Sequence, residues 1–168
     1  MNEPEPTAEP EFIADENVGK LARWLRVMGY DTLFFENGDD SVMVARAVVE
    51  DRIILTRDTA IMDRRLITGG RLKAILLNSP EPEEQLRQVV EKLNLDYYHR
   101  PFTLCPECNE RLVERTPEEV KARVPPYVFQ TQKRYMECPA CHRIYWKGTH
   151  WESMTRRLKT LKNGAKKI

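Results

Sequence analysis

No apolar run in this chain approaches the ~20 residues that a bilayer-crossing helix needs, so no helical membrane span is expected. The first eleven residues, MNEPEPTAEPE, hold four glutamates and no basic residue. They lack the basic start and apolar stretch of a secretory signal, and a cytoplasmic protein is expected. From Arg156 to Ile168 the chain has six Lys or Arg and no acid. A basic end of this kind suits a polyanion such as RNA, or is simply a solvated, frayed terminus. There is no internal repeat, no low-complexity tract between the two ends, and no fifth cysteine.

What is present is ordinary soluble composition, 41% hydrophobic and 32% charged over 168 residues with a net charge of +1. That length supports one real core and one small appendage. Over the first hundred residues, strand and helix signals alternate. Glu11-Phe12-Ile13-Ala14-Asp15 is an apolar run ending in an acid. Leu21, Trp24, Leu25 and Met28 follow at helical spacing from Val18, with Gly29 in the closing position. Thr32 to Phe35 reads as a strand. Asn37 to Ser41 is a turn into a helix through Glu50, and Arg52 to Thr56 is the next strand. Ala60 to Ile67 reads as one short helix stopped by Gly69-Gly70. Leu72 to Leu77 is a strand, and Asn78-Ser79-Pro80 leads into a helix from Pro82 to Leu93. Near-continuous apolar strands separated by helices imply a parallel sheet covered on both faces, a four-stranded α/β/α sandwich.

Beyond Leu95 the texture changes. Phe102 to Trp146 contains few long apolar runs and cannot bury much surface alone, so a metal is expected to replace the missing core. A helical turn or two is expected over Glu118 to Arg123, stopped by Pro125-Pro126, and a last helix over Trp151 to Leu161. The four cysteines form two pairs, Cys105-Pro-Glu-Cys108 and Cys138-Pro-Ala-Cys141. Each pair can place two thiolates on one side of a tight turn, and each turn is restricted by the proline after its first cysteine. Four thiolates make a closed tetrahedral site for one structural Zn²⁺, with no position left for a catalytic water. Redox-active dithiols are the less favoured reading, because neither pair sits at a strand-to-helix junction of the parallel sheet. His142 adjoins Cys141 and suits an outer-shell or RNA-facing role. Tyr145, Trp146, Lys147, His150 and Trp151 mix aromatic and basic groups. They suit base stacking and phosphate contact, or pack the small module onto the main domain.

In open α/β sheets the binding crevice lies at the carboxyl ends of the strands. Asp15 ends the first strand, Asp58 follows the strand of IILTRD, and Asp39 and Asp40 open the second helix at the same edge. Acids from three segments would therefore converge. Their repulsion is offset by a divalent cation, and hard oxygens suit Mg²⁺ or Mn²⁺. Each acid has a plainer alternative, because Asp is a favoured helix N-cap. One of Asp39 and Asp40 is expected to cap. Asp58 could cap the helix from Ala60, and Asp15 the helix from Val18, although Asn17 is nearer. Asp63, a turn beyond Asp58, either faces the crevice or is solvated beside Arg64 and Arg65. Lys20, Arg23 and Arg57 are expected on the same edge as phosphate contacts, while Arg26 contacts phosphate or covers the core with its stem.

Taken in order, FIADENVGKLARWLRVMGYDT, DD, RIILTRD, EQL, CPEC and CPACHRIYWKGTHWESM resemble the Mut-seven C-terminal RNase family, over roughly Phe12 to Leu158. The resemblance implies a PIN-like three-layer α/β/α sandwich with a short parallel sheet and a C-terminal zinc ribbon. It divides the chain into an acidic, flexible start (1–10), a PIN-like nuclease domain (11–98), the ribbon (99–150) and a final helix with basic tail (151–168). It implies a Mg²⁺- or Mn²⁺-dependent ribonuclease in which Asp15, Asp40 and Asp58 are the metal-binding and catalytic acids. Cleavage would be endonucleolytic and would leave a 5′-phosphate and a 3′-hydroxyl. Ribosomal RNA, and docking on a ribosomal or other RNA–protein particle, are the implied substrate and partner. The competing readings are a non-catalytic RNA-binding adaptor that uses its ribbon, and a toxin-like tRNA nuclease.

Overall fold

Phe12, Ile13 and Ala14 are all fully buried and form β1 (Phe12–Ala14). It is flanked by β2 (Thr32–Phe34) and β3 (Ile53–Thr56), and β4 (Ala74–Leu76) lies beyond β3. All pairings are parallel and the order is β2-β1-β3-β4. The computed structural model describes residues 8–164. Most of the expected acidic start (residues 1–7) and the end of the basic tail (residues 165–168) lie outside the described residues.

The register sends alternate side chains to opposite faces, as the strand period of two requires. Phe12 and Ala14 pair with Ile53 and Leu55 and point into one core, while Ile13 and Ile54 point into the other. The first core is closed by α1 (Gly19–Met28), α5 (Pro82–Leu93) and α8 (Thr149–Gly164), through Leu21, Leu25, Leu86, Val89, Leu158 and Leu161. The second is closed by α2 (Asp40–Glu50), α3 (Thr59–Met62) and α4 (Arg65–Thr68), through Met43, Ala47 and Ile61, with Leu66 packed against them. Burial on both faces explains why these strands carry unbroken apolar residues rather than an alternating pattern.

Gly29 closes α1 in the left-handed region, φ 96°, and its N–H reaches the carbonyls of Leu25 and Arg26. A side chain there would also meet the Arg100 carbonyl oxygen at 2.4 Å, so glycine serves both the helix end and the close chain passage. Three local expectations are corrected. The chain enters α1 through a 3₁₀ turn over Glu16–Val18, capped by Asp15 and not by Asn17. The single helix expected over Ala60 to Ile67 is two. It breaks where Arg64 turns extended and its Nη1 donates to Ser41 Oγ, 3.2 Å away, at the start of α2. Pro125-Pro126 does not merely end a helix. Pro126 starts one, because its fixed φ suits a first helical position that needs no N–H.

The cysteine-bearing part is built on a three-stranded antiparallel sheet of β5 (Val113–Arg115), β6 (Tyr135–Glu137) and β7 (Ile144–Tyr145). Two short helices, α6 (Pro117–Val120) and α7 (Pro126–Thr131), lie in the β5–β6 connection. Its apolar clusters are small, one around Cys105, Leu112, Met136 and Cys138, the other around Val120, Val124, Val128 and Tyr135. Polar bonds join it to the parallel sheet. Arg26, only 7% exposed, donates to the Thr32 carbonyl at 2.8 Å and to the Pro106 and Glu107 carbonyls at 3.0 and 3.1 Å. Asn109 accepts from the Thr32 N–H at 2.9 Å and donates to Asp31 at 2.8 Å.

Candidate functional site

Parallel strands end at one edge, so the residue after β1, the residues after β3 and the start of α2 share a neighbourhood. Asp15 is 5% exposed. Its Oδ1 accepts from the Asn17 N–H at 2.9 Å and its Oδ2 from the Thr56 hydroxyl. The same Thr56 oxygen accepts from the Asp58 N–H at 2.9 Å. Thr56 thus ties the ends of β1 and β3 and holds both aspartates by one hydroxyl. Asp58 Oδ1 accepts from the Ala60 N–H at 2.8 Å, capping α3. Asp39 caps α2 by accepting from the Ser41 N–H at 2.7 Å, and these Ser41 bonds hold its carboxyl below the usual range. That leaves Asp40 uncommitted in the first turn.

Asp15, Asp40 and Asp58 line one mostly polar cavity of about 140 Å³, with Asn17, Phe35 and Asn37 among its other walls. The structure therefore brings these three acids to one place. Among the described residues, however, only the four cysteines bring all their ligand atoms within 4.8 Å of one another. The aspartates are more loosely spaced. Thr56 is the residue that sequence reasoning passed over; its signal was a threonine at the end of an otherwise apolar run, fully buried in the fold.

The other expected site residues are dispersed. Arg57 is exposed beside Asp58, and Asp63 is exposed at the end of α3. Lys20 and Arg23 do not line the acidic cavity. They line a separate, larger cleft between α1, α5 and α8, and Arg23 also pairs with Glu107 at 3.0 Å. Lys20 and Arg23 therefore lie along α1 to one side of the aspartate cavity.

The cysteine pairs form two matching turns. The Cys105 N–H reaches the Glu110 carbonyl at 2.8 Å and the Asn109 N–H returns to the Cys105 carbonyl at 2.9 Å. In the second, the Cys138 N–H reaches Arg143 at 3.0 Å and the His142 N–H returns to Cys138 at 2.9 Å. Asn109 and His142 hold equivalent left-handed positions, φ 66° and 61°. Zn–S bonds of about 2.3 Å around a tetrahedron put sulfurs about 3.8 Å apart. Cys105 Sγ and Cys141 Sγ are 3.9 Å apart, so the group fits one zinc ion. Without a cation the thiols resist ionising together. Burial, then the hydrogen bond with Cys141, pushes the Cys108 thiol up to about 12. A divalent charge reverses that preference. The Tyr145 hydroxyl lies 3.1 Å from Cys105 Sγ, placed to donate to a thiolate.

Glu137 precedes Cys138 and is 4% exposed. Arg115 Nε donates to it at 2.7 Å and Arg123 Nη2 at 2.6 Å, and His142 Nδ1 lies 3.4 Å away. The Arg115 hydrogen bond, then the Arg123 charge, holds its carboxyl below the ordinary glutamate range. A depressed folded-state value contributes stability above the unfolded value of about 4.3, lost as pH falls through the folded one. The antiparallel unit is therefore expected to lose stability in acid below about pH 4. Glu137→Gln should flatten that part of the profile, as read by thermal melts across pH. Parallel profiles for the two proteins would count against the assignment.

A family model described as the Mut7-C RNAse domain matches residues 10–158, spanning both sheets, the aspartate edge and all four cysteines. No match was found among curated proteins or among solved structures. Because the matched region takes in nearly all of the described residues, the chain belongs to the Mut7-C RNAse domain family and is thereby a ribonuclease at the level of broad class.

Proposed function

We propose that the chain is a metal-dependent endoribonuclease of PIN-like architecture, with Asp15, Asp40 and Asp58 as its metal-binding and catalytic acids. The observation that carries this reading is the meeting of aspartates from three separate segments in one polar cavity, two of them fastened to Thr56. Their hard carboxylate oxygens suit Mg²⁺ or Mn²⁺, and Mg²⁺ keeps several waters and is held by one or two carboxylates plus substrate phosphate. Such a cation, when bound, activates water and stabilises the leaving oxygen in phosphodiester hydrolysis.

The chain's own contribution is positioning. Thr56 and the Asn17 N–H orient both oxygens of Asp15, and the Ala60 N–H leaves Asp58 Oδ2 for a cation. Asp39 and Asp63 have supporting roles at most, the first because it caps α2 and the second because it is exposed. Arg57 holds phosphate beside the acids, and Lys20 and Arg23 hold it further along α1. In this reading residues 11–98 cut, residues 99–150 form a Cys₄ zinc ribbon that adds RNA affinity, and the final helix anchors it. Ribosomal RNA processing on an RNA–protein particle in the cytoplasm is the proposed setting. No helix among the described residues is long and apolar enough to cross a membrane.

Asp15 and Asp58 also cap helical turns, which favours the adaptor as a second reading. Labelled RNA incubated with Mn²⁺ separates the two. Wild type is expected to cut at least about a hundredfold faster than Asp15→Asn or Asp58→Asn, given the several kcal/mol a catalytic cation supplies. Thr56→Val, which keeps the shape and loses the hydroxyl, is expected to fall between. Equal rates with equal binding would leave the adaptor.

A further inference from the structure

A second cavity, about 240 Å³, opens between α1, β7 and the start of α8. Its walls are aromatic, with Phe102, Tyr145, Trp146 and Trp151, above an apolar floor of Val27 and Met154. The Phe102 and Trp151 rings meet edge to face at 4.7 Å. The Lys147 ammonium stands 6.0 and 5.8 Å from their centroids. A side chain at Gly148 would lie 2.9 Å from Trp146 Nε1, so the glycine lets the indole lie against the turn.

This cavity shares Arg23, Val27, His150 and Met154 with the cleft that holds Lys20, Arg87 and Arg157. The cleft also carries Glu81, Glu83 and Glu84, so it is not uniformly positive. Two of its cations are committed, Arg23 to Glu107 at 3.0 Å and Arg157 to Glu83 at 3.3 Å. Among the described residues no carboxylate pairs with Lys20 or Arg87, and the buried Arg87 Nε has no hydrogen-bond partner.

An aromatic-walled cavity below the roughly 300–1,000 Å³ of drug-sized sites, joined to a cleft with unpaired cations, has the chemistry of a nucleotide: a π face and a phosphate. An apolar side chain of a protein partner would leave Lys20 and Arg87 without a function. We propose that the cavity receives one unstacked base of single-stranded RNA, with an adjoining phosphate held by Lys20 and Arg87. This rests on the ribonuclease reading and identifies where substrate is gripped away from the acids. Lys20 lies just past the β1 end, and Val27 is about 10 Å further along the helix axis at 1.5 Å per residue. The base is therefore held to one side of the acidic cavity, along α1.

The test uses the full zinc-loaded chain without added Mg²⁺ or Mn²⁺, so that binding is read apart from cleavage. Two fluorescein-labelled strands of equal length are compared by anisotropy, an oligouridylate and one carrying abasic ribose units. Wild type is expected to bind the base-bearing strand about tenfold more tightly, the size of one stacking contact. Trp151→Ala should remove that preference. Arg87→Gln should weaken both strands alike and lower the salt slope by about one. Equal binding of the two strands by wild type overturns the proposal, as it would if a protein were the true occupant. So does a preference that survives in Trp151→Ala with normal zinc content. If that variant fails to fold, the wild-type comparison decides alone. Base preference without Mn²⁺-dependent cleavage would sink the nuclease reading only, and cleavage without base preference would sink this proposal only.

Discussion

Removing zinc is expected to unfold the ribbon while the parallel sheet persists. The reason lies in how little apolar material the ribbon has. Its two clusters are small, and two of the four buried residues in one of them are cysteines. Binding energy of structural zinc sites is on the order of 10 kcal/mol and is largely folding energy. No rearrangement of Leu112, Met136 and Tyr145 replaces a term of that size. Purified protein should contain about one zinc per chain. Chelation, or Cys105→Ser or Cys138→Ser, should expose Trp146 and collapse the dispersion of ribbon resonances, leaving those of Ile13, Ile54 and Leu86 near their native positions. A chelated protein with an unchanged ribbon spectrum, or zinc content near zero in the folded protein, would overturn the Cys₄ assignment.

Arg26→Ala is expected to be strongly destabilising although it removes no apolar core residue. The guanidinium satisfies three carbonyls that belong to two units, Thr32 on one side and Pro106 and Glu107 on the other. Burial alone lowers its pKa, and the first cysteine turn and nearby acids oppose that. Truncation leaves the buried Thr32 carbonyl and the part-buried Pro106 and Glu107 carbonyls unmatched, and removes a buried side chain from beneath the Cys105 turn. Each hydrogen bond to a charged group contributes about 1.5–3 kcal/mol, so a loss of at least about 3 kcal/mol is expected. At about 2–4 °C per kcal/mol for a chain of this size, the melting temperature should fall by roughly 6–12 °C. Arg26→Lys should recover less than half, because an ammonium cannot span carbonyls on both sides as the planar fork does. Zinc affinity should weaken in step with the melt. A drop below about 1 kcal/mol would show that the two units do not depend on this bridge.

The apolar runs and their spacing made the first hundred residues readable. Phe12 to Ala14 and Ile53 to Leu55 are unbroken because both faces of their sheet are covered, and Leu21, Leu25 and Met28 recur at one helical face. Errors fell where local pattern was weak. The break at Asp63-Arg64 depends on Arg64 reaching Ser41, a residue of another helix. The helix at Pro126 was hidden because a proline pair reads equally as an end or a beginning. Caps were partly legible: an adjacent acid pair at a helix start made one cap expected, but which of Asp39 and Asp40 it was depended on backbone direction.

By itself the sequence determined that a parallel α/β sheet carries acids at its strand ends and that four thiolates in two tight turns form a compact second unit. Hydrophobic period and cysteine spacing are local properties, and the chain carries them wherever it goes. Only the tertiary structure decided that Asp15, Asp40 and Asp58 line one cavity, that Thr56 fastens two of them, that Arg26 is a buried bridge and that Lys20 and Arg23 line a cleft between α1, α5 and α8 instead of the acidic cavity. Those facts depend on the register between strands and on which helix face turns inward. Contacts between residues far apart in the chain set both, and no local pattern encodes them.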